Sequence, residues 1–303
     1  MEERTKETRT EGRVLQVQSY SINDGDGVRS TIFLAGCPLR CVWCANPESQ
    51  TAARKLLYYE NKCVHCGRCV EACPEHVDPR TWPDCSMCGK CTEACLVEAL
   101  DIAGKIWTAD EVLKEARRDS LFFLFSGGGV TFSGGEPFAQ PAFLRELADR
   151  FQDLGIDMWV ETCGCFHWEE CADIVKMLSH VFFDLKLMDP EAHKKYTGAG
   201  NEEILANATR IYDAGIPITI RIPAIPDVNL TKENIEETAR FMAKRLPDAD
   251  IELLPYHELG KAKYTALGRP FTSFRIPETE ELEKAYEIFA AHGIRRRTDK
   301  LSE

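Results

Sequence analysis

The chain has 303 residues, 44% of them apolar, and a formal net charge of −12. This length and composition fit a globular protein with a large core, and the acidic charge disfavours nucleic acid and anionic lipid as partners. The longest apolar run, LFFLF at 121–125, is far shorter than a membrane-spanning helix. We therefore expect a cytoplasmic protein that binds neither membranes nor nucleic acid.

The N-terminal segment MEERTKETRTEG carries charges of both signs and no apolar core. We expect residues 1–12 to be a tail that is neither a secretory signal nor a transit peptide. The first predicted strand, RSTIFLAG at 29–36, leads into Cys37, Cys41 and Cys44 in a C-x3-C-x2-C run. Structural zinc and complete iron–sulfur sites take four protein ligands, so three indicate a metal site with one open position. The alternative is three unrelated buried thiols.

Eight more cysteines lie in an internal repeat within residues 59–104, which interrupts the alternation of strands and helices. Fourteen cysteines in a chain without a secretion signal favour metal or redox chemistry over disulfides. The repeat matches the bacterial ferredoxin run, in which three thiolates bind one [4Fe–4S] cluster and the fourth binds the other. The predicted ligands of one cluster are Cys63, Cys66, Cys69 and Cys95, and those of the other are Cys85, Cys88, Cys91 and Cys73. The alternative, a pair of zinc knuckles, fits the third cysteine of each half poorly.

From about residue 105 onward, predicted strands alternate with amphipathic helices, which indicates a parallel sheet. The predicted strands are GVTFS (129–133), DMWVET (157–162), HVFFDLK (180–186), PITIRIP (217–223) and DIELLP (250–255). With the first strand they give six strand–helix repeats, enough for an open, partial barrel but too few for a closed one of eight. Active sites of such folds lie at the C-terminal ends of the strands. We place there Cys37, Gly134, Glu136, Glu161, Lys186, Arg221 and His257.

The cysteine trio, with Trp43 just before its third member, resembles the radical S-adenosylmethionine (SAM) superfamily. In that superfamily the amino and carboxylate groups of SAM chelate the open iron. FSGGEP at 132–137 is similar to its Gly-Gly-Glu segment, in which Gly134 and Gly135 are expected to allow close backbone approach and Glu136 to accept from an ammonium group.

An Asp-x-Lys pair stands in the otherwise apolar stretch FFDLKLMD. Asp184 and Lys186 are two residues apart on the same side of a strand that reads as buried, where charges need partners. We expect the carboxylate or ribose of SAM to provide one. The alternative is a surface strand with alternating charges.

The segment IELLPYHELGKAKYTALG at 251–268 resembles the glycyl radical enzyme activating enzymes. Their Leu-Pro-[Phe/Tyr]-His-x-x-Gly-x-x-Lys pattern brings a histidine to SAM, which here is His257. NDGDGVRST at 23–31 looks like the opening segment of the same family, and Asn46 follows the third cysteine in CANPE. Arg221 lies where a cationic contact to the SAM carboxylate is expected. The resemblance covers nearly the entire chain from residue 13.

The resemblance implies an α/β fold, a partial (β/α)6 radical SAM barrel of residues 13–58 and 105–303 with a bacterial-ferredoxin-like, two-cluster insert at 59–104. It implies three [4Fe–4S] clusters and SAM as cosubstrate. The expected cofactor-binding residues are Trp43, Cys44, Ala45, Asn46, Gly134, Gly135, Glu136, Asp184, Leu185, Lys186, Arg221 and His257. A monovalent cation is expected at Glu161, Thr162 and Asp184, although Glu161 stands where some members have Asp.

The implied activity begins with one electron from a flavodoxin or ferredoxin-type donor. The reduced cluster cleaves SAM to methionine and a 5′-deoxyadenosyl radical, which removes a hydrogen atom from a glycine of a partner glycyl radical enzyme. The protein is thus expected to be an anaerobic oxidoreductase that is monomeric alone. Family members with this insert serve decarboxylases, dehydratases and carbon–nitrogen or carbon–sulfur lyases, and the sequence does not select among them.

Two other functions stay open from the residues. One is a radical SAM enzyme that acts directly on a small metabolite; the other is an electron carrier that works through residues 59–104, which leaves the strand-end residues without a role. Whether the two extra clusters relay electrons or only stabilise and recognise is also open. Cys163, Cys165 and Cys171 are expected to be free thiols.

Overall fold

An open sheet of eight strands organises the protein in the computed structural model, which describes residues 10–81 and 85–298. The strands are β1 Glu11–Ser21, β2 Arg29–Leu34, β3 Lys55–Tyr58, β4 Leu100–Ala103, β5 Lys105–Thr108, β6 Gly129–Gly134, β7 Asp157–Thr162, β8 His180–Asp184, β9 Ile218–Ala224 and β10 Asp250–Pro255. The order in the large sheet is β10-β9-β8-β7-β6-β2-β1-β5.

The six strands expected from the sequence form one parallel block. β2 and β6 to β10 pair side by side in parallel, and each agrees with its predicted segment to within two residues. Their C-terminal ends therefore meet at one edge of the sheet. Because β10 and β5 occupy opposite edges, the sheet does not close on itself. An open α/β barrel of six parallel strands is confirmed.

The sheet is mixed, not purely parallel as the strand–helix alternation indicated. β1 runs antiparallel to both β2 and β5 and extends the sheet beyond the parallel block. The sequence interpretation missed β1 because its inward residues, such as Val14, alternate with polar ones on a strand that is only partly buried. β1 begins at Glu11, inside the segment expected to be a tail, and residues 1–9 of that segment lie outside the described part of the chain.

Amphipathic helices cover the parallel strands. The helices are α1 Arg68–Glu71, α2 Lys90–Glu93, α3 Ala109–Ala116, α4 Ser120–Ser126, α5 Pro141–Asp153, α6 Trp168–Val175, α7 Pro190–Thr197, α8 Glu202–Asp213, α9 Lys232–Arg245, α10 Lys261–Ala266 and α11 Thr279–Ala291. In α5, Leu147 lies three or four residues from Phe143, Leu144 and Phe151, so the four side chains form one buried face. The five helices expected between and after the strands, α5, α6, α8, α9 and α11, are confirmed.

The cysteine-rich segment rises from a separate pair of strands. β3 and β4 are antiparallel, with Leu56 opposite Ile102 and Tyr58 opposite Leu100. One face of this pair packs on Cys91 and other residues of the cysteine-rich loops. The opposite face packs on α10 and on Leu15 of β1. The pair therefore lies between the cysteine-rich loops and the large sheet.

Membrane insertion through a helix has no structural basis in the described ranges. None of the helices in residues 10–81 and 85–298 combines the length and apolar character that crossing a bilayer requires.

Candidate active site

A cavity of about 540 Å³ opens at the C-terminal ends of the parallel strands. The predicted site residues that line it are Cys37, Cys41, Trp43, Cys44, Ala45, Asn46, Gly134, Gly135, Glu161, Thr162, Asp184, Lys186, Arg221 and His257. Residues separated by more than 200 positions thus border one space, because the parallel strands end at the same edge of the sheet. Of the residues predicted to bind SAM, Glu136 and Leu185 do not line it.

The three thiols lie on the loop that follows β2. Cys41 is buried, whereas Cys37 and Cys44 are half-buried, and all three border the cavity. Burial raises the pKa of Cys41 to about 12 and that of Cys44 to about 11. A metal that binds them must therefore displace their protons. Three converging soft donors with an open cavity on one side fit an iron–sulfur cluster that leaves one iron for a ligand.

A buried ion pair stands at the end of β8. Lys186 Nζ donates to Asp184 Oδ2 at 2.8 Å, and only 8% of the Lys186 side chain is exposed. Burial opposes the charge, but the neighbouring Asp184 carboxylate and the thiols of Cys41 and Cys163 raise the pKa of Lys186 overall. This ammonium group is therefore held charged at the wall of the cavity, beside the thiols.

Arg221 lies inside the sheet, in the middle of β9, and not at a strand end as the sequence interpretation had it. Its guanidinium binds two carboxylates, Glu161 Oε1 at 2.5 Å and Glu252 Oε2 at 2.6 Å. Ser133 donates to the other oxygen of Glu161 at 2.5 Å. Burial raises the pKa of Glu161, against the opposing effect of Arg221. Arg221 is thus tied to protein carboxylates at the cavity wall.

The Gly-Gly-Glu segment serves the packing of the chain itself. A Cβ at Gly134, whose φ is +113°, would clash with the backbone of Leu34 on β2. The Glu136 carboxylate is fully buried and accepts from Thr162 Oγ1 at 2.8 Å, from the Cys163 amide at 2.8 Å and from the Phe138 amide at 3.2 Å. Burial raises the pKa of Glu136. Both carboxylate oxygens of Glu136 therefore already accept hydrogen bonds from the protein, and the residue does not line the cavity.

The three residues expected to bind a monovalent cation each have protein partners. Thr162 donates to Glu136, Asp184 accepts from Lys186, and Glu161 accepts from Arg221 and Ser133. All three residues nevertheless border the cavity.

The contacts of Lys263 and Gly260 that hold the thiol loop in place were not predicted from the sequence. Lys263 Nζ on α10 donates to Asn46 Oδ1 and to Glu48 Oε1, each at 2.6 Å. A Cβ at Gly260 would come within 2.9 Å of the Cys44 carbonyl oxygen, so glycine permits this close approach. Both residues belong to the Gly-x-x-Lys part of the pattern that pointed to His257. The spacing of Gly260 and Lys263 in this pattern was therefore the signal from which these contacts could have been predicted.

Cys163 is a second residue whose position the sequence did not indicate. The residue is 5% exposed and lines the same cavity as the three thiols, with its thiol beside that of Cys37. Cys165 is half-buried and Cys171 is buried, and none of the fourteen cysteines, all of which lie in the described ranges, forms a disulfide. Asn23 and Asp24, from the NDGDGVRST segment, also line the cavity.

The cysteine-rich segment forms two further thiol sites. Site A is a small cavity ringed by Cys63, Cys66, Cys69 and Cys95. Site B is a second one ringed by Cys73, Cys85, Cys88 and Cys91. Each site takes three thiols from one half of the repeat and one from the other. The donor set of four thiols in each fits a [4Fe–4S] cluster.

Comparisons with known proteins agree with this geometry. The family described as the Radical SAM superfamily matches residues 31–242. The isethionate sulfite-lyase activating enzyme of Oleidesulfovibrio alaskensis is 40% identical over 280 residues, 87% of this chain and 89% of that protein. The trans-4-hydroxy-L-proline dehydratase activating enzyme of Clostridioides difficile is 38% identical over 293 residues, 93% of this chain and 97% of that protein.

A solved structure supports the fold independently. A radical SAM methyltransferase from Sphaerobacter thermophilus matches 94% of this chain and 76% of its own chain, with a TM-score of 0.54 and 15% identity. At that identity the likeness concerns the fold alone. The sequence relatives favour activation of a partner enzyme over direct action on a small metabolite. The chain belongs to the radical SAM superfamily and, within it, to the activating enzymes of glycyl radical enzymes.

Proposed function

We propose that this enzyme activates a partner glycyl radical enzyme by removing a hydrogen atom from the α-carbon of one glycine in that partner. One electron and one SAM are consumed, methionine and 5′-deoxyadenosine are released, and the unpaired electron stays on the glycine. The observation that carries the proposal is the shared cavity, where the thiol trio, the Asp184–Lys186 pair and His257 converge. The names of the relatives supply the substrate class, a protein.

We assign the cavity residues as follows. Cys37, Cys41 and Cys44 would hold a [4Fe–4S] cluster whose open iron binds SAM, and this group supplies the one-electron chemistry. Lys186, held charged beside the thiols, is the side chain suited to a SAM carboxylate or ribose oxygen. His257 lies on the exposed loop after β10, where it can close over a bound ligand.

Trp43 fixes the position of the thiol loop. Its ring packs 6.1 Å from that of Tyr196 and 6.3 Å from that of Phe274. We further propose that the backbone of Ala45, Gly134, Gly135 and Leu185 and the Asn46 side chain complete the SAM pocket. Glu136 would act by holding Thr162 and Cys163 in place, since its oxygens are already engaged.

The cofactor set that we propose is three [4Fe–4S] clusters with SAM. Residues 59–104 would be a ferredoxin-like insert with clusters at site A and site B, in a barrel of residues 13–58 and 105–303. The crossed arrangement of four thiols around each small cavity supports this assignment. A flavodoxin or ferredoxin-type protein would supply the electron to a monomeric enzyme. We do not include the monovalent cation, because Glu161, Thr162 and Asp184 already have protein partners.

The test is an anaerobic activation assay. Reduced enzyme, SAM and a purified candidate glycyl radical enzyme are mixed, and electron paramagnetic resonance (EPR) records the glycine-centred radical while 5′-deoxyadenosine is quantified. We expect the two products to form in step. Cys41→Ala should abolish both, whereas Cys171→Ala, a buried cysteine that does not line the cavity, should preserve both. Cleavage of SAM without any protein radical, across all candidate partners, would contradict the proposal.

A further inference from the structure

The two thiol sites of the insert come from a sequence repeat but have different surroundings. Each half runs C-x2-C-x2-C-x3-C, and His65 and Met87 occupy matching positions with φ values of 53° and 56°. Gly67 and Gly89 match as well, with φ values of 79° and 88°. The backbones of the two halves are therefore alike at these positions.

The two sites differ in solvent exposure. At site A no cysteine is buried, and Cys66 is exposed. At site B Cys88 is exposed as well, but two of the four cysteines, Cys73 and Cys91, are buried. A cluster at site A would therefore be better solvated than one at site B.

Hydrogen bonds to sulfur are also more numerous at site A. The His65 amide donates to Cys63 Sγ at 3.4 Å, and the Ala99 amide donates to Cys95 Sγ at 3.2 Å. Tyr58 also lines site A, with its hydroxyl beside Cys63. At site B, among the described residues, the Met87 amide donates to Cys85 at 3.3 Å. Site B is lined on the same face of β3 by the apolar Leu56, two residues before Tyr58.

The charged residues that line site A also differ from those that line site B. Arg68 and Arg80 line site A, and no carboxylate does so among the described residues. Glu75 lines site B, and its described lining contains neither arginine nor lysine. Arg80 also pairs with Asp78, which holds the guanidinium near Cys63 and Cys69 and offsets part of its charge there.

Solvent exposure, hydrogen bonds to sulfur and nearby positive charge each raise the reduction potential of an iron–sulfur cluster. We propose that the cluster at site A has a higher reduction potential than the cluster at site B, and that Tyr58 and Arg80 are the positioning residues that create the difference. This inference rests on the part of the proposed function that places [4Fe–4S] clusters at both sites.

The difference decides where an electron rests in the insert. With clusters at both sites, a one-electron donor such as dithionite would be oxidised as it reduces the site A cluster from the 2+ to the 1+ state, and the site B cluster would stay oxidised. Site B is the one on the barrel side: Leu56 and Ile102 line it, and Gly104 lies against Ala35, two residues before Cys37. The exposed, outer site A therefore receives and keeps the first electron.

The experiment is a potentiometric titration followed by EPR. It uses the wild-type chain and a variant with Cys37, Cys41 and Cys44 replaced by alanine, in which only the insert can hold clusters. That variant should bind about eight irons, as two [4Fe–4S] clusters require, and show two one-electron steps. At half reduction of the upper step, we expect the lower step to be at most about one-tenth reduced, as a gap of about 59 mV or more gives for one electron.

Single substitutions in that background assign the steps. Tyr58→Phe and Arg80→Gln should each move the upper step to lower potential and leave the lower step in place. Arg80→Lys, which keeps the charge, should move it less than Arg80→Gln. Tyr59→Phe is the matched control, because Tyr59 packs on the opposite face of β3, against Leu57 and Ala266; it should move neither step.

Two results would overturn the inference. One is coincident steps; the other is a Tyr58→Phe variant in which the lower step moves or neither step moves. If the triple-alanine variant binds no iron, the insert holds no clusters and this inference fails. SAM cleavage by the wild-type chain would still test the proposed activity by itself, so the two failures are distinguishable.

Discussion

Lys263 connects α10 to the loop that carries the thiols, across 217 residues of sequence. Its ammonium binds Glu48, whose side chain is only 10% exposed, and Asn46, which lines the cavity. The other oxygen of Glu48 is buried without a hydrogen-bond partner. A single lysine therefore neutralises a buried carboxylate and holds a proposed SAM-contacting amide.

Replacement of this lysine should affect both stability and the cavity. We expect Lys263→Ala to lower the unfolding free energy by about 1–3 kcal/mol, because Glu48 loses its cation and stays buried. SAM affinity should fall roughly tenfold, about 1.4 kcal/mol, as Asn46 is released. Thermal unfolding of the iron-loaded enzyme and calorimetric titration with SAM, both anaerobic, measure the two effects.

Lys261 offers the control on the same helix. It pairs with Glu258 at 3.5 Å, and 62% of its side chain is exposed. Lys261→Ala should therefore cost less than about 0.5 kcal/mol and leave SAM binding unchanged. Equal losses in the two variants would mean that the Lys263 contacts do not stabilise the thiol loop.

At the scale of elements, the pairing of β2 with β6 determines where two of the active-site segments begin. The two strands pair in parallel over their whole length, and the Gly135 amide continues the pattern by donating to the Leu34 carbonyl at 2.8 Å. The thiols follow β2 directly, and the Gly-Gly-Glu segment begins at the end of β6. The register of this pair therefore positions both motifs.

Two glycines that flank β6 test this contact. Gly127 and Gly134 both have positive φ, 70° and 113°, but a Cβ at Gly127 meets nothing within 4 Å while one at Gly134 clashes with Leu34. We expect Gly127→Ala to cost about 1–2 kcal/mol from the backbone conformation alone. Gly134→Ala should cost roughly 3 kcal/mol or more and lower the iron content, since it also separates the strands.

Thermal unfolding and iron analysis of the two alanine variants, purified side by side, give the comparison. Similar losses in both would show that conformation, and not the close approach to Leu34, is what requires glycine at position 134.

At the scale of the whole molecule, the insert is attached through one antiparallel strand pair. The Tyr59 amide donates to the Ala99 carbonyl at 2.8 Å, one residue beyond the end of β3, so the two ends of the intervening segment are neighbours. A two-residue turn can join antiparallel strands at such a point. We therefore expect the barrel to tolerate replacement of the intervening segment by a short connection.

We expect a chain in which residues 60–98 are replaced by Asn-Gly to fold and to keep the thiol trio. Its iron content should fall from about twelve to about four atoms per chain, the difference of two [4Fe–4S] clusters. It should still bind SAM and cleave it with dithionite as reductant. Iron analysis, EPR with SAM and product quantification check this, with the full-length chain as control. Loss of SAM binding would mean that the insert supports the barrel.

Local patterns in the sequence were enough to predict the parallel strands and most of the cavity. Hydrophobic runs and cysteine spacings are properties of neighbouring residues, so β2, β6 to β10 and the C-x3-C-x2-C run could be read directly. The rule that parallel strands end at one edge then grouped Cys37, Lys186 and His257 correctly around one space.

Contacts between residues that are far apart in sequence leave no local pattern from which they could be predicted. The antiparallel strands β1 and β5, the Lys263 contacts with Asn46 and Glu48, and the Arg221 contacts with Glu161 and Glu252 each join residues far apart in sequence. The same holds for Glu136, which looked available for a ligand until Thr162 and the Cys163 amide were seen to occupy it. The sequence alone determined many of the residues that reach the cavity, because strand ends and motif spacings are local. Only the tertiary structure decided which of them remain free to bind a ligand, because their hydrogen-bond partners in the protein can lie far away in the sequence.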